Sequence, residues 1–231
     1  MLAADAPVVL ADADIDYAVD AAVWGAFMHQ GQICMSTERI IVEKAIADEF
    51  THKLKERVAA LPVGDPTDPA TAIGPLINQR AVDLVHAHVQ EALADGAELV
   101  TGGTYDHLLY QPTIVKDVTP TMRLFTDQTF GPVAPIVVVN DAEEALAVAN
   151  NSKYGLSSGI ITNDFTRALD IAMRLETGMV HIGDQTVNDE PQVPFGGVKG
   201  SGYGRVGGQA ALHEFTEIRG INVQRPKQTV P

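Results

Sequence analysis

Cysteine is nearly absent from this chain: among its 231 residues there is one, Cys34. A single thiol excludes a disulfide within the chain and suits a reducing compartment, so the cytoplasm is the expected location. Positive charge is also scarce. Sixteen Lys and Arg stand against thirty Asp and Glu, a formal net charge of −14. That balance speaks against nucleic acid or an anionic membrane as partner, because both need clustered basic residues. No apolar run approaches the ~20 residues of a membrane-spanning helix, and the first residues lack the basic-then-apolar pattern of a secretory signal. Internal repeats and low-complexity tracts are missing too. What remains, 45% apolar and 20% charged, is ordinary for a globular domain and long enough for one full core.

Strand and helix signatures alternate along the chain. Pro7-Val8-Val9-Leu10 reads as a short buried strand, and Asp14 as the N-cap of a helix carrying Tyr17, Trp24 and Phe27. The run Ile40-Ile41-Val42 predicts a strand. Ile46, Phe50, Leu54, Val58 and Leu61, spaced by four and three, predict an amphipathic helix of about four turns. The stretch from Gly64 to Pro69 is too rich in turn residues for either element and reads as a surface loop. A helix from Asn78 to Asp95, ended by Gly96, leads to a strand at 98–100. Then come a strand at 136–139 and a capping-box-like start at Asp141 and Glu144 for a helix to Asn150. A strand at 158–162, a helix at 164–176 with Gly178 as its C-cap, and a strand at 179–182 follow. A helix near 209–215 and a strand near 218–223 close the chain. Repeated β-α-β units with fully apolar strands imply an α/β fold: a doubly wound, mostly parallel sheet with helices on both faces.

Cys34 lies between the first helix and the second strand. A thiol on a loop at such a junction is a candidate nucleophile, because loops on a rigid scaffold carry chemistry more often than element interiors do. The other reading, a small buried hydrophobe, stays open on these residues alone. At an ordinary pKa near 8.5, only a few per cent of the thiol would be ionised at pH 7. His29, just ahead of it, could pair with the thiol or simply end the helix; Arg39 is close in sequence but belongs to the strand. Trp24, Phe27 and Ile33, with His181, could line a substrate pocket or serve as core. Glu190 and Glu217 could activate water or be surface carboxylates. His86 and His88, two apart on a helix, point to different faces, and no metal site is expected.

The segment Phe27 to Arg39 resembles the nucleophile segment of the aldehyde dehydrogenase superfamily. Three further blocks follow in that family's order: Phe130-Gly131-Pro132-Val133, then Ala149-Asn150-Asn151-Ser152-Lys153-Tyr154-Gly155-Leu156, then the stretch from Pro194 to Gly204. The wording Gly31-Gln32-Ile33-Cys34-Met35-Ser36-Thr37, with His181-Ile182 and Val187-Asn188-Asp189-Glu190, is most similar to the aromatic branch of salicylaldehyde, benzaldehyde and vanillin dehydrogenases. The resemblance implies a catalytic domain over residues 1–217 and a C-terminal strand or tail, 218–231, contributing to a homo-oligomer. It implies oxidation of a small aromatic aldehyde to its carboxylic acid through a thiohemiacetal on Cys34. NAD would take the hydride, with Gln128 and Phe130 as cofactor contacts.

The same comparison exposes departures. Complete members are much longer, and most of their nicotinamide-binding domain precedes the nucleophile; only 33 residues precede Cys34 here. No Gly-rich turn follows an early strand and opens a helix, so the dinucleotide fingerprint is not found. Met1-Leu2-Ala3-Ala4-Asp5 falls where the family carries Glu-Leu-Gly-Gly-Lys, so that family's general-base Glu is not expected here. Gln128 stands where the family has a ribose-binding Glu, and an amide offers one acceptor oxygen where a carboxylate offers two. Gly183 replaces the family's usual Asn after the strand, and the backbone N–H of Cys34 is the oxyanion donor left within these blocks. The expectation is a truncated aromatic aldehyde dehydrogenase with weak NAD binding. The alternatives are an NAD-independent thiol esterase remnant and a catalytically silent association module.

Overall fold

A computed structural model describes residues 6–223. The Met1 to Asp5 block and the tail beyond residue 223 lie outside the described residues. Strand β1 (Ala6–Val9) leads to α1 (Ile15–Phe27), where the Asp14 carboxylate accepts the Tyr17 amide at 3.1 Å. After the segment that carries Cys34 come β2 (Ile40–Glu43) and α2 (Lys44–Ala59). The turn-rich stretch ends at α3 (Gln79–Ala94), capped by Asn78, whose side chain accepts the Ala81 amide at 3.0 Å. Four short strands follow: β3 (Glu98–Thr101), the β4 (Tyr105–Asp106) and β5 (Leu109–Tyr110) hairpin, and β6 (Thr113–Lys116). Helix α4 (Arg123–Thr126), β7 (Val133–Val139), α5 (Ala142–Asn150), β8 (Ser157–Ile161), α6 (Phe165–Arg174), β9 (Met179–Ile182) and α7 (Gly208–Glu214) complete the order.

Seven strands form one sheet in the order β3-β6-β7-β2-β1-β8-β9. Every neighbouring pair is parallel except β3 with β6 at one edge. The strands are apolar on both faces because both are covered. Val9, Ile40, Val42 and Ile136 pack with Phe50 and Leu54 of α2 and the small-residue face of α1. Val8, Ile41, Val137 and Ile160 point the other way, onto Val85 and Val89 of α3, Leu146 of α5 and Ile171 of α6. Phe50 and Leu54 are fully buried, and truncating such a side chain to Ala typically costs about 3–5 kcal/mol. The α/β doubly wound reading therefore holds.

Three local expectations are corrected. The expected C-cap at Gly178 is not one: α6 ends at Arg174 with Leu175 as its cap. Gly178 instead lets two backbones meet, since a Cβ there would lie 1.8 Å from the Gly196 carbonyl oxygen. At α5, Asp141 accepts the Glu144 amide as read, but Glu144 reaches back to the Asn140 amide (2.7 Å), one residue before the cap. Residues 218–223 form no strand: Ile218, Ile221 and Val223 are exposed, and no strand edge of the described residues pairs with them.

Candidate active site

Parallel pairing fixes where the motif blocks meet. The Cys34 segment enters β2 at its amino end, Phe130 to Pro132 enters β7, Leu156 precedes β8, and Met179 begins β9. Because β7 pairs with β2, and β9 with β8, these blocks line one edge of the sheet, the amino edge. Most open α/β sheets place their ligands at the opposite, carboxyl edge.

The backbone leading to the thiol is unusual. After α1, His29, Gln30 and Gly31 all take positive φ, at 48°, 58° and 69°. Left-handed residues with a side chain cost roughly 1–2 kcal/mol each, so the surroundings must impose this path. Gly31 permits it: a Cβ there would lie 2.1 Å from the Gly131 carbonyl oxygen, so the nucleophile segment and the Phe130 loop touch backbone to backbone. Gly25 plays the matching role on α1, where a Cβ would meet Thr37 Oγ1 at 2.5 Å, and its carbonyl accepts the Thr37 amide at 2.9 Å.

Cys34 sits at the second position of a turn closed by the Ser36 amide to the Ile33 carbonyl at 3.0 Å. Ser36 Oγ accepts the Ile33 amide at 3.3 Å. The turn is pinned by the segment that follows β9 and by the first residue of β8. Thr186 Oγ1 donates to the Met35 carbonyl at 2.7 Å and lies 3.0 Å from Thr37 Oγ1, while Ser157 Oγ donates to the Thr186 carbonyl at 2.8 Å. The thiol is half-buried and forms no disulfide. Its surroundings are apolar: Ile33, Met35, Leu156, Met179, Val187 and Phe195. Beside this cluster, and sharing Met179 with it, opens a groove of about 390 Å³ lined by His181, Asn188, Asp189, Glu190 and Val193. Burial holds the His181 imidazole below its ordinary pKa, with Asp184 opposing, and its Nε2 has no hydrogen-bond partner among the described residues.

The structure brings Ile33 to Cys34 but places the other two pocket candidates elsewhere. Phe27 is buried in the core between α1 and the sheet. Trp24 is 56% exposed and lines two surface grooves, one with Phe27, His29 and Leu61, the other with Tyr17, Gln185 and Val187. Val187 is the link between that second groove and the Cys34 cluster. His29 is exposed at the first groove. Arg39 is buried, its guanidinium 4.4 Å over the Phe125 ring and donating to the Asn151 carbonyl at 3.3 Å. Glu190 is exposed at the rim of the His181 groove, and Glu217 is exposed past α7.

The residue missed in the sequence is Glu38. It is 4% exposed, and its two carboxylate oxygens accept the amides of Thr129 (3.0 Å) and Phe130 (3.1 Å). Desolvation pushes its pKa up to about 7, against the opposing pull of those two amides and of Arg39. Thr129 Oγ1 in turn lies 3.1 Å from Nδ1 of the buried His88 on α3, whose pKa burial lowers. A Glu-Arg pair at the mouth of an otherwise apolar strand was the available signal. Phe130 is half-buried with φ 52°. Both amide atoms of Gln128 are buried without a hydrogen-bond partner among the described residues.

These features bear on whether NAD fits. Phe130 is half-buried at this edge, while the Gln128 amide is buried without a hydrogen-bond partner among the described residues and presents no open face to a ligand. The Gly-rich stretch from Gly196 to Gly208 joins β9 to α7 only through a long loop and opens a helix of seven residues, and among the described residues no tight Gly-rich turn follows an early strand into a helix, the usual cradle for its pyrophosphate. Sheet and edge together define an α/β domain whose candidate site lies around Cys34 at the amino edge.

The chain belongs to the aldehyde dehydrogenase family, whose model matches residues 3–221. It is 48% identical to a benzaldehyde dehydrogenase [NAD(+)] of Pseudomonas putida over 95% of this chain and 45% of that protein. It is 47% identical to a vanillin dehydrogenase of Pseudomonas sp. strain HR199 over 96% of this chain and 46% of that one. A salicylaldehyde dehydrogenase from Pseudomonas putida G7, solved with salicylaldehyde, superposes with a TM-score of 0.96 at 41% identity, covering all of this chain and 48% of that one. The chain thus spans about half the length of the curated relatives it matches.

Proposed function

We propose that this chain carries the nucleophile half of an aldehyde dehydrogenase that oxidises a small aromatic aldehyde to its acid. The observation that supports it is the placement of Cys34: a half-buried thiol in a pinned turn, among apolar side chains that an aromatic ring would complement. The thiol adds to the aldehyde carbonyl, and the Cys34 backbone N–H is the donor within this segment for the oxygen that gains charge. Phe130 would hold the nicotinamide end of NAD, which when bound supplies the hydride acceptor. Ile33, Met179, Val187 and Phe195 share the small apolar cluster of Met35 and Leu156 with the thiol and would offer an aromatic ring apolar surface. Residues 218–231 would serve a homo-oligomer, and the cytoplasm is the proposed location.

Aldehyde protection tests this reading on the chain as it is. Benzaldehyde should slow alkylation of Cys34 by iodoacetamide in a saturable way, and hexanal should do so more weakly. Equal rates with and without benzaldehyde would remove the aldehyde from the site. A half-buried thiol in a pinned turn also fits one second reading, a thiol esterase that needs no nicotinamide. Hydrolysis of p-nitrophenyl acetate, lost in Cys34→Ser and present without NAD, would support it.

A further inference from the structure

We propose that Glu38 is a positioning residue of the nucleophile site: its buried carboxylate holds the Thr129 and Phe130 amides, fixing the Gln128 to Phe130 loop and the Cys34 segment as one unit. The inference deepens the reading above and rests on it only for the identity of the reaction.

Four observations converge on this role. First, both oxygens of one carboxylate take two successive backbone amides, at 3.0 and 3.1 Å, across 91 and 92 residues of sequence. A backbone N–H pair can be met by many partners, but a single side chain meeting both at one point must offer two acceptor oxygens. Second, the residue so held is strained. Phe130 has φ 52°, which a bulky residue adopts only where its surroundings impose it. Third, the loop is braced from behind by His88 through Thr129 Oγ1 at 3.1 Å. Fourth, the two segments touch again at Gly31 and Gly131, where no Cβ fits. Glu38 and Cys34 are four residues apart, so whatever fixes the first limits the second.

The clamp depends on charge. A protonated Glu38 turns one oxygen into a hydroxyl facing an amide donor, and at least one of the two bonds is lost. Its titration therefore ought to be felt at the loop. The charged and titratable groups facing it are Arg39 on its own segment and His88 of α3 through Thr129, with Arg123, Asp127 and Glu91 behind His88.

The test uses the full chain, uniformly labelled with nitrogen-15. The amide resonances of Thr129 and Phe130 should move together between about pH 5.5 and 8.5, with one shared midpoint. Glu38→Gln should abolish that movement, Glu38→Asp should retain it with a shifted midpoint, and His88→Gln should leave it in place. In parallel, the rate of Cys34 alkylation by iodoacetamide, corrected for thiolate fraction, should change severalfold across the same midpoint and stay flat in Glu38→Gln. Amides that do not titrate, or that still titrate in Glu38→Gln, overturn the clamp. So does an alkylation profile identical in wild type and Glu38→Gln, which would leave Glu38 with a merely structural bond. If the clamp signatures appear but benzaldehyde fails to protect Cys34, the positioning role stands and the aldehyde reading falls.

Discussion

Burying Glu38 ties the stability of this chain to pH in a direction opposite to that of most carboxylates. Its pKa rises from 4.5 to about 7 because desolvation outweighs the two amide bonds and Arg39. Between those values the folded chain binds a proton that the unfolded chain has released, so stability falls as pH rises through this window. The contribution is full below the unfolded value and gone above the folded one. With these two values, linkage gives a loss on the order of 2–3 kcal/mol on going from near pH 5 to near pH 8. Asp12, Asp127 and Glu143 all have lowered pKa values, so in the fold they titrate below this range. His88 and His181 are lowered too, and their contribution rises with pH, so Glu38 is isolated by comparison with a residue that does not titrate. The measurement is urea unfolding of wild type and Glu38→Gln across the window. Glutamine does not titrate, so the difference in stability between the two proteins should shift by roughly 2–3 kcal/mol in favour of the variant as pH rises. A difference that stays constant within about 0.5 kcal/mol would mean the carboxyl ionises as freely in the fold as in water, and the desolvation argument fails.

Three further outcomes are expected. Gly31→Ala should lose about 2 kcal/mol or more in chemical denaturation, because its Cβ would strike the Gly131 carbonyl; Gly96→Ala, with φ 101° and nothing within 4 Å, should lose only about 1 kcal/mol of backbone strain. Equal losses would show that the two segments do not touch at Gly31. Calorimetry should give NAD binding to this chain weaker than ~1 mM, since pyrophosphate anchoring supplies most of such affinity; micromolar binding would reveal a site outside the one described. Light scattering on a sizing column should report more than one chain per particle, because Trp24, Ile77, Phe165, Met173, Phe215 and Ile218 lie exposed, and a monomer at micromolar concentration would refute this.

How much of this was legible in the sequence follows from what each signal measures. Helices α1, α3, α5 and α6 were found at their starts because Asp14, Asn78, Asp141 and Asp164 each cap with their own side chain, a local interaction that a sequence displays directly. Strands β2 and β7 were found because burial on both faces leaves an apolar run. Strand β6 escaped: Thr113 to Lys116 is short, flanked by Pro112, and becomes a strand only because β3 and β7 pair on either side of it. The same limit applies at Gly178, which was read as a helix cap on spacing alone, while its use is a backbone contact with Gly196.

The site divides along that same line between local and long-range signals. Cys34 could be singled out because it is unique and sits between a helix and a strand. Ile33 comes with it, as the adjacent residue. Trp24 and Phe27 lie one helical turn apart on α1, which predicts that they share a face but not which face the thiol sees. The helix turns Phe27 into its own core, and the left-handed run at His29 to Gly31 then swings the chain away before Cys34 is reached. The Glu38-Arg39 pair ahead of β2 marked a charge to be placed, but its partners were illegible. They are 91 and 92 residues away from Glu38, and they meet it only because β7 comes to lie beside β2. A buried charge can be recognised in sequence only when its partner is, and backbone amides carry no sequence signature. The feature that organises this edge of the sheet is therefore invisible until the strand order is known, although each residue in it stands in plain view.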